Sequence, residues 1–419
     1  MGAAARPAML RSATLTAGHS LELLEGGAQF FPALIAAMDG AAREVRLETY
    51  IFDFDPQGIA VAQALERAAG RGVAVFVVVD GVGTPRVPQE WQQRWAQSGV
   101  RWQQFQPLGQ WGLLMPGQWR RMHRKLCVVD GEWAFCGGIN VLDDWLDSRH
   151  GPLSAARLDY AVKVRGPLVE QCLQAMQQFW ARAQVARQLE HLQWREVRSQ
   201  WPQWRSLPSS GKPLQALAAQ TDAATGAADS HAALVLRDNV RNRSRIERSY
   251  LKAIGEARHE VVLANAYFLP GGRLRRALMH AARRGVRVQV VVQGRYEYFM
   301  QYHASRPVLG ELVRAGVEIY EYTPGFLHAK VAVVDGVWAT VGSSNLDPLS
   351  LLLAREANVV VYDAAFAQRL QAALLKVISG STRRWDIAAD ARRPWHQRVR
   401  DRLAFGLMRF LIFFSGIRY

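Results

Sequence analysis

Cysteine is nearly absent from this 419-residue chain: the three present, Cys127, Cys136 and Cys172, form no CxxC pair. That excludes a disulfide scaffold, offers no zinc-ligand spacing and fits a reducing compartment. Long apolar runs are missing too. The first 20 residues carry Arg6 and Arg11 but no apolar segment of signal-peptide length, so secretion is not expected. No window reaches the roughly 18 uninterrupted apolar residues of a spanning helix. Neither HExxH nor a carboxylate cluster with ligand spacing occurs, so neither a metal nor another cofactor is expected. Acidic residues are outnumbered, 36 against 52 basic, and only six of the basic residues are lysine.

The apolar fraction of 49% excludes a largely disordered chain, and the length suits two domains or one duplicated unit. A net charge of +16 calls for a polyanionic partner, nucleic acid or an anionic membrane, between which composition does not choose.

Self-similarity decides the organisation. EVRLETYIF at 44–52 returns as EVVLANAYF at 260–268, and GVAVFVVVD at 72–80 as GVRVQVVVQ at 285–293. HRKLCVVDGEWAFCGGIN at 123–140 returns as HAKVAVVDGVWATVGSSN at 328–345. The offsets are 216, 213 and 205, shrinking in chain order as two copies of one unit with shortened loops would give. Within the first copy, Phe30 to Ala42 and Ile59 to Ala69 have helical spacing, while Val45 to Phe52 and Val73 to Val79 read as strands. Leu126 to Val129 and Trp133 to Cys136 form a hairpin about Asp130-Gly131, matched by Asp335-Gly336. Each copy is therefore an α/β unit, a mixed sheet flanked by helices. The expected division is a first unit at 1–183, a connector at 184–231, a second unit at 232–380 and a basic tail at 381–419. Trp194, Trp201 and Trp204 mark the connector as a second membrane-facing surface or a partly packed link.

The repeated motif carries the chemistry. It supplies His123, Lys125, Asp130 and Asn140 in one copy and His328, Lys330, Asp335 and Asn345 in the other. His and Lys two apart on a strand share a face, so both reach one pocket. Two imidazoles, two ammonium groups and two amides suit a phosphodiester: one imidazole attacks phosphorus, the other protonates the leaving alkoxide, and a phosphohistidine results. The lysines, Asn140 and Asn345 stabilise charge on the non-bridging oxygens. Such a histidine needs an acceptor on its other nitrogen. Asp159 in RLDYAVKV and Glu356 in REANVVV, 36 and 28 residues beyond their histidines, are the orienting carboxylates.

Two HxKxxxxD motifs trailed by GGxN and GSxN resemble the phospholipase D superfamily over about Leu21 to Ala372. The contexts YIFDFD, NAYFLPG, LHAKVAVVDGVWATVGSSNLDPLS and EANVVV are most similar to bacterial cardiolipin synthases of the shorter type without N-terminal membrane spans. The resemblance implies two pseudo-symmetric units with the site at their interface, His123 as nucleophile and His328 as general acid and base. It also implies transfer of a phosphatidyl group between phosphatidylglycerol molecules, with phosphatidylethanolamine a further candidate substrate. Leu349 stands where many relatives carry arginine and receives no headgroup role.

Trp111, Leu113, Leu114, Met115 and Phe326 lead into the two histidines and would line an apolar mouth. In the tail, Arg398, Arg402 and Arg409 share a helical face while Leu403, Phe405, Leu407, Met408, Phe410, Leu411 and Phe414 occupy most of the rest. That pattern predicts an interfacial helix on an anionic membrane, and a peripheral protein on the cytoplasmic side of the inner membrane. Its rival is a terminal helix packed on the protein's own core. A superfamily hydrolase or nuclease is the functional alternative, and the apolar tail argues against nucleic acid.

Overall fold

The structure, a computed structural model, describes residues 15–107, 119–147, 150–191, 230–238, 242–297, 299–347, 354–386, 388 and 392–414. The first half runs β1 (Ser20–Glu25), α1 (Gly26–Asp39), β2 (Glu44–Thr49), α2 (Pro56–Gly70), β3 (Ala74–Asp80), α3 (Gln89–Ser98) and β4 (Arg101–Phe105). It continues through β5 (Arg121–Met122), β6 (Leu126–Val129), β7 (Trp133–Gly137), the small hairpin β8 (Leu146–Asp147) and β9 (Gly151–Pro152), β10 (Tyr160–Arg165) and α4 (Leu168–His191). The second half runs β11 (His231–Arg237), α5 (Arg245–Glu256), β12 (Glu260–Asn265), α6 (Gly272–Arg283), β13 (Arg287–Gln293), α7 (Phe299–Arg314) and β14 (Glu318–Tyr322). Then come β15 (Lys330–Val334), β16 (Trp338–Gly342), β17 (Ala354–Tyr362), α8 (Ala364–Ser381), β18 (Thr382–Arg384) and α9 (Trp395–Phe414).

The duplication is exact at the level of topology. The sheet orders are β1-β10-β7-β6-β2-β3-β4 and β11-β17-β16-β15-β12-β13-β14-β18, so each strand of the first has a counterpart in the second. In both, the strands of the βαβαβ segment pair in parallel and the hairpin and edge strands antiparallel. Helices α1 to α3 cover the outer face of the first sheet, and α5, α6, α7 and α9 that of the second. The inner faces share one core, where Leu126, Val128 and Val162 join Val262, Val331 and Val359 beside α4 and α8. Each such side chain, fully buried, contributes about 1.5–3 kcal/mol, so the seam resists separation of the halves.

The hairpins turn as their sequence requires. Asp130 and Gly131 have φ of 52° and 67°, and Asp335 and Gly336 52° and 63°, the left-handed pair of a type I′ turn. This location corrects the reading of both aspartates as catalytic. Each lies five residues beyond its motif lysine, about 16 Å along a strand. Asp130 accepts the backbone N–H groups of Ala42, Arg43 and Glu44, each at 2.8 Å. Asp335 does the same for Arg258, His259 and Glu260, each at 2.8 Å. Burial would raise these carboxyls, yet the N–H donors hold both below the ordinary value. They tie each hairpin to the chain entering β2 or β12 and stand at the end of the strand away from the histidines.

Two expected boundaries move. Helix α4 continues to His191, past the expected edge at 183, and Trp194, Trp201 and Trp204 lie outside the described residues. The tail is not a separate segment: β18 extends the second sheet beyond β14, Trp385 is buried, and α9 packs along α7. Among the described residues no helix is long and apolar enough to cross a membrane.

Candidate active site

Each histidine sits on the short connection just before its hairpin strand, where the halves meet. The His123 backbone N–H donates to Arg355 O at 3.0 Å, and that of His328 to Leu158 O at 2.8 Å. Those two carbonyls belong to the residues immediately preceding Glu356 and Asp159. Each half therefore presents its carboxylate to the other half's imidazole. His123 Nδ1 lies 3.0 Å from Glu356 Oε2, and His328 Nδ1 lies 2.6 Å from Asp159 Oδ2. The expectation that each acid serves the histidine of its own copy is corrected, because β10 and β17 direct their leading ends across the seam.

The carboxylates differ in length, and the motifs compensate. At Gly138 an added Cβ would lie 2.2 Å from Asp159 Oδ1, so only glycine leaves room for that side chain. Its counterpart Ser343 instead donates its hydroxyl to Glu356 Oε2 at 2.5 Å. The lysines are buried, Lys125 5% and Lys330 0% exposed. Their ammonium groups donate to the carbonyls of His123, at 2.9 Å, and of His328. Asn140 Oδ1 accepts from Ile51 N at 3.2 Å. Asn345 is 3% exposed, and its Oδ1 has no protein partner. Turning that amide over presents Nδ2–H₂ at the same point.

Burial dominates the electrostatics. It lowers Lys125 to about 7, an effect Glu356 opposes and Lys330 reinforces. It lowers Lys330 to about 8 against the pull of Asp159. Asp159 is raised to about 7 by burial, with Lys330 opposing. His123 is lowered by burial, Glu356 opposing, and His328 is lowered further by burial together with Lys330, Lys125 and Arg157. Both shifts favour the neutral imidazole, the form in which a histidine can attack phosphorus.

Two contributors escaped the sequence reading. Tyr50 has its ring 4.8 Å from that of His123, with Lys125 Nζ 5.3 Å from its centroid, forming one wall. Arg157 pairs with Asp147 at 3.2 Å and lies over Phe326, placing the β8–β9 hairpin beside His328. The repeat could not flag Tyr50, because Ala266 stands at its counterpart. Phe326 is buried rather than lining an open mouth. Trp111, Leu113, Leu114, Met115 and Leu349 lie outside the described residues.

Comparison with known proteins matches the family described as cardiolipin synthase, PLD-like domain, at residues 34–180 and 250–378, one region per half. Cardiolipin synthase B of Escherichia coli K12 is 38% identical over 392 residues, 94% of this chain and 88% of that protein. Cardiolipin synthase A of Pseudomonas putida is 33% identical, over 91% of this chain and 72% of that protein. Among solved structures, phosphatidylserine synthase of Haemophilus influenzae Rd KW20 superposes with a TM-score of 0.67 at 12% identity, over 95% of this chain and 96% of that one. That likeness is one of fold.

The lysines set a pH dependence. Their ammonium charge is complete only well below about 7, and it is lost from Lys125 as pH rises through about 7 and from Lys330 through about 8. The kcat/KM for an anionic diester should fall across that interval, since this parameter reports the free enzyme's groups. A profile from about pH 6 to 9.5 in a detergent-solubilised lipid assay checks it, and a plateau extending to the alkaline end would contradict it.

Proposed function

Because this chain belongs to the cardiolipin synthase family built on a phospholipase D-like domain, it is a phosphatidyltransferase, and we propose that it condenses two phosphatidylglycerol molecules to cardiolipin and glycerol. The observation that carries the mechanism is the crossed pairing of His123 with Glu356 and His328 with Asp159 around two buried lysines.

Glu356 accepts the Nδ1–H of His123, leaving the Nε2 lone pair to attack the donor phosphorus. The bond from phosphorus to the glycerol oxygen breaks, and His328 delivers a proton to that oxygen. The diester's negative charge offsets the two ammonium groups and lets His328 carry this proton. A phosphatidyl group now sits on His123. The terminal hydroxyl of a second phosphatidylglycerol gives its proton to His328 and attacks phosphorus, breaking the bond to His123 and releasing cardiolipin. Lys125, Lys330, Asn140 and Asn345 stabilise the equatorial oxygens through both steps. With two cations at its centre the pocket has the charge a phosphate requires, and the chemistry runs without a metal.

Mass spectrometry of products from defined phosphatidylglycerol vesicles tests this reading. Cardiolipin and free glycerol should appear in equal amounts, and His123→Ala or His328→Ala should lower the rate by about 10³-fold or more. Phosphatidic acid as the sole product would instead make the protein a hydrolase.

The substrate's location matches the surface of α9. One face packs inward through Asp401, Ala404 and Met408. There Asp401 holds His303 of α7 at 2.7 Å and Arg393 at 2.8 Å. The other face leaves Trp395 71%, Leu403 68%, Leu407 51% and Phe410 58% exposed at helical spacing. Arg398, Arg402 and Arg409 flank that stripe, and Tyr296 and Phe299 extend it at the start of α7. The helix packs through one face, and its outer, arginine-flanked apolar face is suited to an anionic bilayer. Phosphatidylglycerol is then both surface and substrate, and we place the protein peripherally on the cytoplasmic face of the inner membrane.

Leu403→Glu combined with Phe410→Glu should weaken binding to phosphatidylglycerol vesicles by about tenfold or more in a sedimentation assay, from lost apolar burial and added repulsion. Unchanged binding would remove α9 from the membrane surface.

A further inference from the structure

A buried lysine stays charged only where its surroundings stabilise the ammonium. Carboxylates can do so, yet each one also repels the phosphate that the lysine is there to bind. The groups acting on Lys125 are Glu356 of β17, Asp159 at the head of β10 and Asp80 of β3, opposed by Lys330 of β15. Those acting on Lys330 are Asp159, Glu356 and Glu297, opposed by Arg157. In this respect the halves are alike. Lys125 in turn acts on both imidazoles, and its ammonium donates to His123 O at 2.9 Å. Burial leaves it the less basic of the two lysines, at about 7 against about 8, so it has the greater need of support.

The halves differ in what covers the ammonium. Lys125 Nζ stands over the ring of Tyr50, 5.3 Å from its centroid, inside the roughly 6 Å range of cation–π attraction. The same ring lies 4.8 Å from the imidazole of His123. Its main chain is clamped on both sides: Thr84, 1% exposed, donates its hydroxyl to Tyr50 O at 3.2 Å, and Asn140 Oδ1 accepts Ile51 N. At Gly83 an added Cβ would lie 2.3 Å from Tyr50 O, so the loop after β3 closes directly on the tyrosine backbone. Ala266 occupies the equivalent place in the second half, where a methyl offers Lys330 no aromatic face.

We infer that Tyr50 is a positioning residue of the reaction: its ring keeps the Lys125 ammonium charged beside the nucleophilic histidine without adding negative charge where the diester phosphate must sit. An aromatic face attracts a cation through its quadrupole, and a desolvated site strengthens the attraction. The half that forms the covalent bond to phosphorus thereby keeps the cation that stabilises the equatorial oxygens. The inference rests on the roles given to His123 and Lys125 and is independent of which alcohol accepts the phosphatidyl group.

The ring's electrostatics can be changed at nearly constant shape. Tyr50→Phe keeps the aromatic face, and 3,5-difluorophenylalanine and then 3,4,5-trifluorophenylalanine at the same position withdraw it in steps. The full chain is assayed by total consumption of phosphatidylglycerol in mixed micelles with a nonionic detergent, kcat/KM being followed from about pH 6 to 9.5. Weaker attraction destabilises the ammonium and lowers Lys125, so its charge is lost at lower pH. Across the fluorine series the fall of kcat/KM should therefore move down by about half a pH unit, while Tyr50→Phe keeps the wild-type position. The His123 Nδ1–H resonance of ¹⁵N-histidine-labelled protein reports that the imidazole is still in place. A fall that stays where it is across the series in such protein would overturn the inference. So would a shift produced in full by Tyr50→Phe, which would assign the effect to the hydroxyl. Phosphatidic acid formed in place of cardiolipin would overturn the transferase reading instead and leave this comparison intact, because donor consumption is counted whichever acceptor is used.

Discussion

Two backbone hydrogen bonds cross the seam between the halves, His123 N–H to Arg355 O and His328 N–H to Leu158 O, and the catalytic geometry depends on them. Each fixes a histidine main chain against the residue that precedes the other half's carboxylate. Side-chain pairing then follows without further choice, because the next residue along β10 or β17 must turn toward the seam. Neither half can assemble a complete histidine-carboxylate pair alone. The shared apolar core between the sheets therefore does more than stabilise: it holds the two bonds in register.

Exchange across a pseudo-twofold permits symmetry, and the chain departs from it where the chemistry is directional. A short acid faces a glycine at Gly138, and a longer acid faces a hydroxyl at Ser343, so the two imidazoles are supported differently. Tyr50 walls one histidine and has Ala266 as its counterpart. Asp80 is filled by its own loop, whereas Gln293 is among the residues that border a pocket.

The fold was legible because the duplication repeats its pattern: strand runs, hairpin turns and motif spacing recur, and the topology matches strand for strand. That the histidines, lysines and carboxylates would group at one place was legible for the same reason. Partner exchange was not, since spacing along a chain cannot say whether Asp159 faces His123 or His328. The motif aspartates misled by proximity in sequence. Strands of four and five residues carry Asp130 and Asp335 away from the pocket, to turns where three N–H groups each need an acceptor. Helix α9 was read as interfacial or packed because its hydrophobic positions span both faces; packing uses Ala404 and Met408 and leaves the Leu and Phe stripe outward.

Part of the excess positive charge sits on the buried pair of lysines and on the arginine-flanked helix α9. The central claim is the exchange of carboxylates between halves, and imidazole NMR reads it most directly. In protein labelled with ¹⁵N-histidine, the downfield Nδ1–H resonance of His123, identified by its loss in His123→Ala, should disappear or move sharply in Glu356→Gln. It should persist in Asp159→Asn. The opposite pattern, sensitivity to Asp159 and indifference to Glu356, would show that each half orients its own histidine and would contradict the account.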